Sequence, residues 1–201
     1  MGLNNIMIFN YETKTLQVKI VYYGPAMSGK TTSIKSLFSY FNKEDSVKSI
    51  DSSVGRTLFF DFGVLLFKGT EWGIKFLIYS ATGQDFYAST RPATLNGVDG
   101  LIFVVDSQIE FLNHNIRSWN ELKTLFGSEF YNIPIVISSY KSDLFKNQEK
   151  NGFLSYIDYN RFRRISFKKT IAIDGQGVLE SFSELVKFIF PELKINLCVN
   201  N

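Results

Sequence analysis

The chain has 201 residues, 45% hydrophobic and 20% charged, with a formal net charge of +3 and one cysteine. Such a chain can bury a full core without staples, so a disordered protein and a disulfide-held scaffold are both excluded. The small net charge also argues against a nucleic-acid binder, which needs lysine and arginine gathered on one face.

In chain order, Met1-Gly2-Leu3-Asn4-Asn5-Ile6 begins like a myristoylation signal but has Ile6 where serine or threonine is wanted. Residues 16–23 read as the first strand, and Gly24-Pro25-Ala26-Met27-Ser28-Gly29-Lys30-Thr31 follows, fitting the Walker A pattern at every specified position. In such a loop consecutive N–H groups curl toward a β-phosphate, Lys30 can reach β and γ oxygens, and the Thr31 hydroxyl can ligate Mg²⁺. The spacing predicts a helix over 32–41, whose positive end adds to the anion site. Gly24, Met27, Ser28, Gly29, Lys30, Thr31 and Thr32 are therefore the candidate phosphate contacts.

Residues 44–54 are polar and serine-rich, and beside a phosphate loop they read as a mobile switch in preference to a plain loop. Runs 57–68 and 73–79, split by a turn-sized gap, form an antiparallel hairpin. The short apolar runs 101–105 and 133–137 have the character of parallel strands covered on both faces. Between them Ile116, Trp119, Leu122, Lys123 and Phe126 recur at helical spacing, as do Val178, Leu179, Phe182, Leu185, Val186 and Ile189 after a short strand at 170–173. About six strands with helical crossovers make an α/β fold whose loops meet at the strands' carboxyl ends, where such sheets bind ligands.

Several residues carry bland readings. The basic cluster Arg161, Arg163, Arg164, Lys168 and Lys169 reads as a solvated face, with an anionic membrane or an acidic partner surface as the alternative, and His114 as an exposed helix residue. Cys198-Val199-Asn200-Asn201 has a polar residue where a prenylation box needs an aliphatic one, so no stable membrane anchor is expected. No apolar run approaches a membrane span, and the cytoplasm is the expected compartment.

Three downstream sites discriminate among P-loop proteins. Arg56-Thr57 precedes the second strand, where a threonine can complete Mg²⁺ coordination. Ala81-Thr82-Gly83-Gln84 places a Gly83 N–H for the γ-phosphate and a Gln84 carboxamide for water. Tyr140-Lys141-Ser142-Asp143 places a carboxylate able to accept the N1–H and exocyclic amine of guanine, a donor pair that adenine lacks. Asp106, ending an apolar strand, is the rival: as a Walker B carboxylate it would mark an ATPase or small-molecule kinase.

With Arg56-Thr57-Leu58-Phe59-Phe60-Asp61-Phe62, Gly97-Val98-Asp99-Gly100 and Val105-Asp106-Ser107-Gln108, these motifs resemble those of Ras-like small GTPases, and among them the MglA-type subfamily of bacteria and archaea. The resemblance covers about residues 15–190 and rests on several motifs in the right order. It implies one G domain over 1–201 with a short C-terminal tail: a mostly parallel six-stranded sheet with one antiparallel strand, an extended second strand and helices on both faces. It also implies GTP and GDP as ligands, Mg²⁺, effector proteins, an MglB-like roadblock-domain activator, and a role in polarity or surface motility.

By the same resemblance Thr31, Thr57 and Ser80 serve the metal, Ser80 standing where most relatives carry aspartate and MglA-type proteins usually threonine. Lys141, Asp143, Ala172 and Ile173 hold guanine together with Tyr140, which replaces an asparagine that braces the phosphate loop; the usual lysine after Ala172 is missing. Gln84 orients water beside Lys30. Arg56 is the in-cis arginine, with Arg91 as second candidate and a pairing of Arg56 with Asp51 or Asp61 as the structural alternative. Ala26, where relatives carry glycine, crowds the attacking water and implies slow turnover, or at the limit a nucleotide-held scaffold with little hydrolysis.

Overall fold

Alternation along the strand that leads into the Walker loop sets the architecture, because Val18, Ile20 and Tyr22 enter one core while Val21 and Tyr23 enter another. The computed structural model describes residues 8–51, 57–140 and 152–192, and these build an eight-stranded sheet. The strands are β1 (Ile8–Asn10), β2 (Thr15–Tyr23), β3 (Val47–Asp51), β4 (Thr57–Phe67), β5 (Gly73–Ala81), β6 (Gly100–Asp106), β7 (Ile135–Tyr140) and β8 (Ile165–Thr170). The order is β3-β4-β5-β2-β6-β7-β8, with β1 paired to β2 off that path. From β5 to β8 all neighbours are parallel, whereas β4 runs antiparallel to β5, β3 to β4 and β1 to β2.

Helices α1 (Lys30–Tyr40) and α4 (Val178–Ile189) cover one face through Ile34, Leu37, Phe38, Phe182 and Leu185. Helices α2 (Arg91–Leu95) and α3 (Leu112–Phe126) cover the other through Leu95, Trp119, Leu122 and Phe126. β6 is buried along its whole length, with Ile102 and Val104 turned to the first core and Leu101, Phe103 and Val105 to the second. That is why its sequence is an unbroken apolar run. β5 lies on one side of β2 and β6 on the other, so the loop after β2 occupies the switch point of the sheet.

The expected six-stranded plan is present as β2, β4, β5, β6, β7 and β8, with β4 as the antiparallel member and, at eleven residues, the longest strand. Two short strands join it. β3 lies within the segment read as a mobile switch: after a 3₁₀ turn at Glu44–Ser46, its polar residues add an edge to β4, where no apolar alternation is required. The last strand also differs, running over Ile165–Thr170 instead of 170–173, with Ile171 only bridging to Gln176. Lys168 and Lys169 of the basic cluster lie on this strand, where lysines suit an edge because they discourage pairing with another chain.

The β2 edge facing β6 is closed in three ways. β1 covers Thr15 to Gln17, pairing with β6 starts at Ile20, and the buried Asp99 fills the gap by accepting the Lys19 N–H through Oδ2 at 2.8 Å. In return the Asp99 N–H donates to the Lys19 carbonyl, so one side chain stands in for a strand. Among the described residues no helix is long and apolar enough to cross a membrane.

Phe103 is fully buried, with its ring centroid 5.0 Å from Trp119 and 5.4 Å from Phe153. Phe103→Ala should therefore lower unfolding stability by about 3–5 kcal/mol, read from urea denaturation. A loss below about 1 kcal/mol would contradict this account of the α3 core.

Candidate functional site

The loop between β2 and α1 is shaped by two close approaches of backbone to backbone. A Cβ on Gly24, at φ 144°, would sit 2.2 Å from the Val104 carbonyl oxygen on β6. A Cβ on Gly83 would sit 2.3 Å from the Ala26 nitrogen, so the segment after β5 lies directly on the loop. Only glycine fits at either place. Met27 adopts a left-handed φ of 62° with its side chain 90% exposed, and left-handed Gly29 then opens α1. Alternating left- and right-handed residues turn successive N–H groups to one side, which makes an anion nest.

Lys30 is 6% exposed, and its Nζ donates to the carbonyls of Gly24 at 3.0 Å and Pro25 at 2.6 Å, with Ser28 Oγ at 3.5 Å. Burial first, then the neighbouring Arg91 charge, lower its pKa to about 7 against the pull of Asp61. A cation held where its charge is disfavoured is well placed to receive polyphosphate.

Thr31, expected at the metal, donates its hydroxyl to Asp61 Oδ2 at 2.5 Å. Asp61 is fully buried and sits opposite Ser80 in the β4–β5 register, so carboxylate, Ser80 and Thr31 gather beneath the first turn of α1. Sequence reading had given Asp61 only the part of an ion-pair partner. The available signal was the cost of burying a lone acid in an alternating apolar strand, which demands a polar partner. Thr57 opens β4 opposite Asp51, and Thr32 lies in the first turn of α1. Arg56 lies outside the described residues.

Gln84 follows Gly83 before a 3₁₀ turn, Asp85–Thr90, that leads into α2. Arg91, the second candidate for a catalytic arginine, directs its guanidinium elsewhere, onto the carbonyls of Thr82 and Gln84 and the Glu121 carboxylate. Asp106 is engaged too: its Oδ1 accepts the Gln108 N–H, and Asn115 on α3 holds its backbone carbonyl. The carboxylate against the Walker threonine is thus Asp61, which disfavours the ATPase or kinase reading built on Asp106.

At the other end of the site, Tyr140 closes β7 between Asp106 on β6 and Thr170 on β8. Thr170 Oγ1 donates to the Ser139 carbonyl at 3.1 Å and so accepts from Ser138 Oγ at 2.9 Å, tying the two strand ends together. Ala172 is then buried and Ile173 is 74% exposed in a loop closed by Ile171 N–H on the Gln176 carbonyl. Lys141 and Asp143 lie outside the described residues. His114 is exposed on α3, as read. In the basic cluster, Arg161 stacks over Tyr131, Arg164 donates to the Phe188 carbonyl at the end of α4, and Lys168 lies 3.7 Å from Glu184.

A nest-forming Walker loop at the switch point of a mostly parallel sheet, with a glycine of the loop after β5 pressed onto it, defines a Ras-like P-loop nucleotide hydrolase. A sequence profile of the ADP-ribosylation factor family matches residues 5–189. The chain is 35% identical over 192 residues to the mutual gliding-motility protein MglA of Myxococcus xanthus (strain DK1622), an alignment covering 92% of this chain and 96% of that one. It is 25% identical over 174 residues to Ras-related protein RABF2a of Arabidopsis thaliana, covering 87% and 82% respectively. The chain belongs to the ADP-ribosylation factor family and is a Ras-like small GTPase of the MglA type, binding GTP and GDP.

The depressed Lys30 has a thermodynamic sign that can be measured. Between about pH 7 and 10.5 the unfolded chain holds this proton and the folded one does not, so this group makes stability rise with pH across the window. Phosphate brought to Nζ favours the ammonium form, so GDP binding should take up roughly one proton at pH 8.5 and weaken as pH climbs above 7. Calorimetric titrations in two buffers of different ionisation enthalpy read this directly, and equal heats in both would contradict it.

Proposed function

We propose that this GTPase is a slow switch whose GTP-bound form is read by effector proteins, with a roadblock-domain protein as activator. The observation that carries it is the seating of Gly83 on Ala26, which sets a segment suited to sensing a γ-phosphate against the loop that grips the β-phosphate. GTP then draws Gly83 and Thr57 inward and orders the segments around them, and hydrolysis releases both. The name of the Myxococcus relative, a mutual gliding-motility protein, supports a role in gliding motility; cell polarity as the process and the cytoplasm as its place are part of the same proposal.

The donors at the metal position are all oxygen, which suits Mg²⁺. Thr31 and Thr57 would hold it with Ser80 behind, and the buried Asp61 carboxylate on Thr31 supplies the negative charge that Ser80 lacks. Mg²⁺ bound there would neutralise charge on the β- and γ-phosphate oxygens. Lys30 exchanges the Gly24 and Pro25 carbonyls for phosphate oxygens, while Met27, Ser28, Gly29, Thr31 and Thr32 present N–H groups. Gln84 orients the attacking water, and Arg56 supplies the cation that takes up charge leaving the γ-phosphate, an effect worth about 10³ to 10⁵ in rate. Asp143 accepts two donors from guanine, Lys141 stacks on the base, and Tyr140, Ala172 and Ile173 complete its pocket. Ala26 keeps the water position crowded, so the unaided rate is slow.

Fluorescent GTP and GDP analogues should bind at least about 10² times more tightly than the ATP analogue, and Asp143→Ala should collapse that gap. Single-turnover phosphate release should be slow in the wild type, accelerate with a roadblock partner, and fall to a small, measurable residual rate in Gln84→Leu. Tighter binding of ATP would sink the reading, and unchanged release from Gln84→Leu would remove Gln84 from the chemistry.

A further inference from the structure

Arg91 is 5% exposed, and its guanidinium is shared among three elements. Nε donates to the Thr82 carbonyl at 3.0 Å and Nη2 to the Gln84 carbonyl at 3.0 Å, so a single side chain grips the backbone on both sides of Gly83. Nη1 meets both carboxylate oxygens of Glu121 on α3, at 2.6 and 2.5 Å, and Asp85 Oδ1 lies 3.7 Å from Nη2. The gripped strip has no ladder of its own, since β5 ends at Ala81 and the next turn begins at Asp85. Arginine's rigid fork can hold two carbonyls and a carboxylate at once, which a lysine ammonium on its flexible stem cannot.

We propose that Arg91, locked by Glu121, is a positioning residue for GTP hydrolysis. It fixes the Thr82–Gln84 backbone from α3, setting where the Gly83 N–H meets the γ-phosphate and where the Gln84 side chain meets water. Its donors serve protein oxygens, so it acts through Gln84 and not as an arginine finger. The neighbouring wall supports this: Ala26, Gln84, Arg91 and Glu121 line one cavity, which places the clamp beside the water that Gln84 would orient. The proposal rests on the hydrolytic reading of Gln84 given above.

The test is single-turnover phosphate release and GDP-analogue affinity in Arg91→Lys and Glu121→Gln, each also made in a Gln84→Leu background. Misplacing a catalytic group by about 1 Å can cost about 10²-fold, so both single variants should slow release by about 10- to 100-fold. GDP affinity should stay within about twofold, because the loop's grip on the β-phosphate is untouched. In the Gln84→Leu background neither change should slow release further. Wild-type rates in the single variants, a parallel loss of GDP affinity, or additive losses with Gln84→Leu would each overturn the clamp. If Arg91→Lys fails to fold, Glu121→Gln carries the test, since its site is partly exposed and the substitution preserves shape. Absence of hydrolysis in the wild type would instead overturn the Gln84 reading, and the clamp with it, and is visible in that arm alone.

Discussion

Backbone contact at two glycines governs the rest of this molecule. With Gly24 against the Val104 carbonyl and Gly83 against the Ala26 nitrogen, three strand ends are drawn to one small turn. Such distances leave no room for a side chain at either glycine, and the two cores hold the strands that bring them there. β2 is paired with β5 from Thr15 to Tyr22 and with β6 from Ile20 to Tyr23, and apolar side chains lock both faces of that trio. A close-packed interior transmits small displacements without absorbing them, so the ligand loop inherits the precision of the sheet.

Charge is arranged around that contact with equal economy. Lys30 and Arg91 are both buried cations, each held by backbone carbonyls, and each has a carboxylate in its neighbourhood on a different element. Asp61 can reach Thr31 only because β4 runs antiparallel along β5 in one register from Phe60 to Phe67. A slip of one residue would turn Asp61 to the opposite face of the sheet. The length of β4 is in that sense part of the site, since many ladder bonds secure the orientation of one carboxylate.

Much of the fold could be read from the chain because its parallel strands are buried on both sides and its helices on one, and each condition leaves a periodicity. β6 and the stripe of α3 are of this kind, and the phosphate loop announces itself by glycine spacing. Asp61 was harder, because an acid within Phe60-Asp61-Phe62 looks like the exposed member of an alternating strand. Its burial depends on α1 passing overhead, a tertiary fact with no local signature. β1 and β3 are too short for alternation to register, and β8 hides behind the charges that protect its edge. The grip of Arg91 on Glu121 joins positions 30 apart and obeys no spacing rule at all.

The use of Asp99 as a surrogate strand decides where this chain can change length. Any residue inserted between Asn96 and Asp99 would carry the carboxylate away from the Lys19 N–H and expose an unpaired donor within a buried sheet. The turn from Lys68 to Trp72 is closed by Gly69 N–H on the Trp72 carbonyl, with the Trp72 ring against Phe9 and Tyr11, at the end of the sheet remote from the ligand loop. Loops of that kind lengthen at little entropic cost. An inserted epitope or a grafted module belongs there, where it can grow without disturbing the glycine contacts on which the site depends.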